Sequence, residues 1–164
     1  MNTFENMNGA LHDRFDKLLA VVDASANRLE MSPIERRFIA VFYVVAILRN
    51  VVTLYGKGDL NPETMRKEVL YVTPQKEIRK YRLDFEMAML VGAEMHKLAV
   101  ECDGHEFHER TKDQAARDRL RDRDLQRDGY TVFRFTGSEI FKDPIVCADE
   151  CLDWVMAKIA GPAK

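Results

Sequence analysis

The sequence predicts an α/β domain, a mixed sheet flanked by helices, on three observations. Apolar residues recur at helical spacing up to about Tyr55. Period-two alternation of apolar with largely charged residues then appears from Lys80 to Met89 and again from Lys97 to Asp103. A long charged helical stretch next separates those strands from another apolar strand, Tyr130 to Thr136.

The elements follow in order. Phe4, Met7, Leu11, Phe15, Leu18 and Val22 form one stripe on a first helix. Ser32-Pro33-Ile34-Glu35 opens a second, with Ser32 as N-cap, Pro33 at the first helical position and Glu35 completing a capping box. Ile34, Phe38, Val41, Val45, Leu48, Val52 and Tyr55 continue its stripe, and Phe42, Tyr43, Val44 and Ile47 widen it until it nearly encircles the helix. The core is therefore expected to form around this helix, and everything before about residue 60 reads as helical.

Gly56 to Asp59 breaks the pattern, and Asn61-Pro62-Glu63 suits a short helical turn. An extended region begins at Glu68 to Tyr71 and is expected to be interrupted at Thr73-Pro74-Gln75. Tyr81, Leu83, Phe85, Met87 and Met89 then alternate with charged residues as a half-buried strand, and Leu98, Val100 and Cys102 do the same in the next. Glu109 to Asp128 is a charged helix closed by Gly129. Asp143-Pro144 caps a final helix carrying Ala148, Cys151, Leu152, Val155 and Ile159. The passage from Glu101 to Phe135 predicts a right-handed parallel crossover.

The totals exclude several classes. At 164 residues and net charge −2, this is one domain, residues 31–164, with a helical appendage at 1–30, and it does not grip nucleic acid by bulk charge. The longest apolar run, Phe38 to Leu48, is too short to span a membrane. Three cysteines without an export signal read as free thiols of a cytoplasmic protein.

The strand register points to an acidic centre. If Gly92-Ala93 is a two-residue type II′ hairpin loop, Asp84 falls opposite Glu101 and Arg82 opposite Asp103. The apolar pairs Phe85–Val100, Leu83–Cys102 and Met87–Leu98 agree with that register. Two carboxylates facing each other repel. A divalent cation between them, Mg²⁺ or Mn²⁺ by its preference for oxygen, would resolve the conflict. Alternatively both are solvated strand charges, neutralised by Arg82 and Lys97.

Ser32 to Glu35, Gln75, Tyr81-Arg82-Leu83-Asp84-Phe85, and Glu101-Cys102-Asp103-Gly104 with His108 together resemble a family of unknown function related to very-short-patch-repair endonucleases. The likeness continues through Arg117 to Leu125, Gly129 and Thr131 to Phe135 and covers about residues 31 to 142. It implies membership of the restriction-endonuclease-like PD-(D/E)xK superfamily: an αβββαβ core, here with an extra N-terminal helix, and metal-dependent hydrolysis of DNA phosphodiester bonds. Asp84 and Glu101 look like metal ligands of that superfamily, with the Cys102 backbone carbonyl as a third. Asp103 stands where the superfamily usually has lysine. His108 looks like a histidine aiding proton transfer or phosphate contact, Glu35 like a glutamate approaching the metal, and Gln75 like a polar residue at the site's edge.

Other features carry competing readings. Glu35 serves as a cap residue independently of catalysis. Cys102, His105 and His108 have spacing that invites zinc, but Cys102 should point into the core. Arg119, Arg123 and Arg127 form a stripe that suits DNA phosphates or an ion-paired solvent face. The Phe4 to Val22 stripe suits homodimerisation. An inactive descendant of the fold, serving as a DNA-binding or protein-interaction module, is the alternative to an endonuclease.

Overall fold

The computed structural model describes residues 31–56, 59–104 and 112–161. The expected first helix, the appendage 1–30, His105 and His108 lie outside them.

Helix α1 (Pro33–Leu48) starts as the sequence dictates, with the Ser32 hydroxyl accepting the Glu35 N–H and Pro33 in the first turn. It ends about two turns earlier than its apolar pattern. Asn50 adopts a left-handed backbone (φ 57°), its N–H bonds the Ile47 carbonyl, and the Val51 N–H bonds that of Ala46. This is a Schellman closure with asparagine in the place glycine usually takes. Val52 and Tyr55 therefore leave the helix, and Thr53–Tyr55 forms strand β1, parallel to β2 (Leu70–Ile78). Between them, Asn61 accepts from Thr64 and Met65 in a single tight turn.

Strand β2 runs through Thr73-Pro74-Gln75 without the interruption the proline suggested. Its pairing with β3 (Tyr81–Val91) keeps one register on both sides, Pro74 to Phe85 and Lys76 to Leu83, while Gln75 between them turns left-handed (φ 52°). β3 and β4 (Glu94–Asp103) form the expected hairpin, closed by Val91–Glu94 around Gly92 at φ 62°. That positive φ suits the first position of a type II′ loop. Helix α2 (Lys112–Arg127) leads to β5 (Tyr130–Thr136), parallel to β4. A short helix α3 (Gly137–Lys142) follows, opened by a complete capping box between Thr136 and Glu139. Helix α4 (Pro144–Ala160) is capped by Asp143, as expected, and stops at Gly161.

The result is a mixed five-stranded sheet in sequence order, β1 to β5. One face carries α1, α3 and α4 over a core in which Phe38 meets Phe42, Phe85 and Phe135 at 5.5–6.0 Å between ring centroids. Cys147 and Cys151 are free and buried in that core. The opposite face carries α2 through Leu125, packed on Leu83, Ala99 and Tyr130. No helix among the described residues is long and apolar enough to cross a membrane.

The alternation in β3 changes face at Asp84. Phe85, Met87 and Met89 point to the α1 layer, whereas Leu83 lies with Leu125 under α2 and the Tyr81 hydroxyl bonds Asp124 of α2. The expected Leu83–Cys102 partnership is therefore lost: Cys102 points into the α1 core, as its alternation predicts, but Leu83 does not.

Phe38 is fully buried among three other aromatic rings, while Leu48 at the end of the same helix is 74% exposed. Phe38→Ala should cost about 3–5 kcal/mol in a urea titration with unchanged slope, and Leu48→Ala less than about 0.5. Equal effects would contradict the placement of this core.

Candidate active site

The hairpin ladder between β3 and β4 ends at Phe85–Val100, so Asp84–Glu101 and Arg82–Asp103 do not form the expected cross-strand pairs. Because β3 turns over at Asp84, its carboxylate takes the next amide itself: Asp84 Oδ2 accepts the Cys102 N–H at 2.7 Å. Side chain thus replaces main chain in the ladder, and Asp84 is pinned beside the strand that carries Glu101 and Asp103.

Glu101 projects to the α2 face and is 3% exposed. Its Oε1 accepts from Arg121 Nη2 of α2 at 2.5 Å, and the same nitrogen donates to the Arg82 carbonyl at 2.7 Å. Asp103, at the end of β4, is 3.7 Å from Arg134 Nη1. Arg134 stands beside Glu101 in the parallel β4–β5 register and is held by Asp122 at 2.7 Å. The cations answering the acids are therefore Arg121 and Arg134, in place of the Arg82 and Lys97 that the strand pattern suggested.

From the other face, the first turn of α1 contributes Glu35. Its carboxylate accepts from the Ser32 hydroxyl at 2.7 Å and from Gln75 Nε2 at 2.6 Å. Ser32 thus caps the helix, while the carboxylate that a capping box would turn back to the backbone reaches Gln75 instead. Glu35 is near enough to Asp84 to raise its pKa, and Asp103 raises both Asp84 and Glu101. Glu35, Gln75, Asp84, Glu101 and Asp103 accordingly form one constellation, and His108 lies outside the described residues.

Arg119, Arg123 and Arg127 are exposed on α2. Arg127 pairs with Asp124 at 3.3 Å. Arg123 lies half a turn from Leu125, the residue that faces the sheet, whereas Arg121 precedes Leu125 by one full turn. That spacing was the signal for Arg121.

Burial dominates the electrostatics. It pushes Asp84 up to about 6, opposed by the Cys102 N–H and reinforced by Glu35. It pushes Glu101 up to about 8, opposed by Arg121 and reinforced by Asp84 and Asp103. Two buried polar atoms here also lack hydrogen-bond partners: the acceptor Gln75 Oε1 and the donor Arg121 Nε.

A family model named REase_MTES_1575 matches residues 62–155, more than half of the chain and all of β2 to β5. The chain belongs to this restriction endonuclease-like family. The REase_MTES_1575 match takes in Gln75, Asp84, Glu101, Cys102, Asp103, Arg121 and Arg134, and leaves out Glu35 with the rest of α1. The mixed sheet with flanking helices is consistent with a restriction endonuclease-like fold. No curated protein and no solved structure matches the chain.

Among the described residues no three His, Cys, Asp or Glu side chains group closely enough to hold a metal ion on their own. A magnesium-like cation needs fewer. It is commonly held by one or two carboxylates and keeps water and substrate oxygens for the rest. Asp84 and Glu101 each use one oxygen in the bonds above, and Gln75, held by Glu35, has an orphaned acceptor in Oε1. The donor set is hard oxygen throughout and fits such an ion.

The raised carboxylates have a measurable consequence without any ligand. Their unfolded-state values lie near 4, so the folded protein binds extra protons between about pH 4 and pH 8. The stability they contribute is present below that window and is lost as pH rises through about 6 and then 8. In metal-free buffer the melting temperature of Glu101→Gln, relative to the parent, should therefore rise between about pH 5 and pH 8.5. A difference that stays constant with pH would contradict the burial of Glu101.

Proposed function

We propose that this protein is a metal-dependent endonuclease that hydrolyses DNA phosphodiester bonds, with Asp84 and Glu101 at its centre and kinship to the very-short-patch-repair-like nucleases. The observation that carries this reading is the convergence of two buried carboxylates with raised pKa values on one side of Arg121. A charge cluster of this kind destabilises the fold that keeps it, and a cation with a phosphate relieves it.

Asp84, Glu101 and the Cys102 carbonyl would hold Mg²⁺ or Mn²⁺. When bound, that ion supplies positive charge where negative charge develops on the phosphate. Arg121 offers its unpartnered Nε–H to a phosphate oxygen while Nη2 keeps its bond to Glu101, a planar fork suited to that task. Gln75, oriented by Glu35, presents its free carbonyl to a water at the edge of the site. Asp103 occupies the place of the superfamily's lysine, so the cationic role there falls to Arg121 and Arg134 from neighbouring elements. His108 serves in proton transfer or phosphate contact, and Arg119, Arg123 and Arg127 meet DNA phosphates away from the reacting bond.

An inactive endonuclease-like module that binds DNA or protein is the competing reading, favoured by one observation. Arg121 already neutralises Glu101, as a structural ion pair would. Supercoiled plasmid separates the two. With Mg²⁺ or Mn²⁺ the parent should nick it, EDTA should stop the reaction, and Asp84→Asn and Glu101→Gln should each lose at least about a hundredfold in rate. Arg121→Ala should lose about 10²–10³-fold. Absence of nicking in either metal, or nicking undiminished in Asp84→Asn, would contradict the proposal.

A further inference from the structure

The guanidinium of Arg121 meets two groups at the start of β3 besides Glu101. Its Nη2 donates to the Arg82 carbonyl at 2.7 Å, and its Cζ lies 5.7 Å from the centre of the Tyr81 ring. That separation is within the range of a cation–π contact. The Tyr81 hydroxyl in turn donates to Asp124 Oδ2 at 2.7 Å. Asp124 follows Arg121 by three residues, so the two side chains are neighbours on the surface of α2. The tyrosine therefore meets the helix at two points, its ring at Arg121 and its hydroxyl at Asp124.

Apolar packing does not account for this tyrosine. Tyr81 is half-buried, yet it stands outside the cluster of Leu83, Ala99, Leu125 and Tyr130 that Ile78 and Val132 complete. Its ring instead meets positive charge, that of Arg121 and also that of Lys80, whose Nζ is 5.2 Å from its centre. The turn-over of β3 at Asp84 puts it there, since strict alternation would send Tyr81 to the α1 layer with Phe85. One backbone event thus sets Asp84 on the Cys102 amide and Tyr81 beside Arg121.

We propose that Tyr81 is a positioning residue for Arg121. Its ring, anchored through the hydroxyl, holds the guanidinium in one plane beside Glu101, so that the unpartnered Nε–H meets a phosphate oxygen in a single orientation. The need for such a residue follows from Glu101. In the proposed function Glu101 serves both Arg121 and a divalent cation, and its hold on the guanidinium weakens when the site is filled. A neutral ring carries no such conflict, and neither does the Arg82 carbonyl. An arginine left with one hydrogen bond regains rotamer freedom, and a contact out of place by a fraction of an ångström loses rate. What Arg121 touches rests on the nuclease reading above; what holds Arg121 does not.

Two readouts test the proposal. In the metal-free full chain, the ¹H–¹⁵N signal of the Arg121 Nε–H is identified by its absence in Arg121→Lys. In the parent the tyrosine ring should displace it from the signals of exposed arginines. Tyr81→Leu should return it toward them. Tyr81→Phe, which keeps the ring but frees it from Asp124, should move it partway. In plasmid nicking with Mg²⁺, Tyr81→Leu should lower kcat at least about tenfold with little change in KM. Tyr81→Phe should lose about two- to tenfold. Added to Arg121→Ala, Tyr81→Leu should cost nothing further, whereas a tyrosine that only stabilised the fold would multiply the loss. An Nε–H signal unmoved in either Tyr81 variant, or rate losses that multiply in the double variant, would overturn the proposal. Should Tyr81→Leu fail to fold, Tyr81→Phe decides by the same signal. Should the parent not nick, the nuclease reading fails and the signal still decides the role of Tyr81.

Discussion

The hydrogen bond from the Cys102 amide to Asp84 is where the sheet and the site become the same object. A hairpin ladder that continued past Phe85–Val100 would bury Leu83 beside Cys102 and direct Asp84 away from that amide. Instead the strand turns over, Leu83 and Tyr81 go to α2, and the freed amide is satisfied by a carboxylate. A buried N–H must find an acceptor, and this one fixes Asp84 beside β4 at a single position. Gln75, across the strand pair, takes a left-handed conformation at the same level, and its side chain reaches Glu35. The acids from α1, β3 and β4 meet because both strands change face together.

Having brought them together, the fold contains their charge incompletely. Arg121 and Arg134 come from α2 and β5, the crossover unit packed on that face. They offset the acids, yet burial still holds Asp84 and Glu101 well above ordinary carboxylates. A core built for stability alone would place apolar residues there. The tension is local, because the aromatic centre around Phe38 stabilises the opposite face without sharing residues with the acids.

Much of this was legible in the residues. Gly92-Ala93 fixed the register of the hairpin because a two-residue loop with leading glycine admits one twist, and Asp143-Pro144 marked α4 because a cap and a proline cannot sit mid-helix. The Thr136–Glu139 capping box was equally readable and passed over, since a six-residue helix has too little apolar period to attract notice. Other misses are tertiary. Val52 and Tyr55 fit the helical stripe of α1, and only the left-handed Asn50 removes them. Alternation could not reveal the turn-over at Asp84, because strict period two is what it assumes. Arg121 was hidden among seven basic residues in the stretch from Glu109 to Asp128 and is distinguished only by its spacing from Leu125.

The account stands on Asp84 and Glu101 sharing one divalent cation, and Mn²⁺ titration of the full chain, followed calorimetrically and by paramagnetic resonance, measures that directly. The parent should bind one Mn²⁺ saturably, and Asp84→Asn and Glu101→Gln should each abolish or strongly weaken it while retaining the parent's fold by circular dichroism. Absence of binding in the parent, or binding undiminished in both variants, would contradict it.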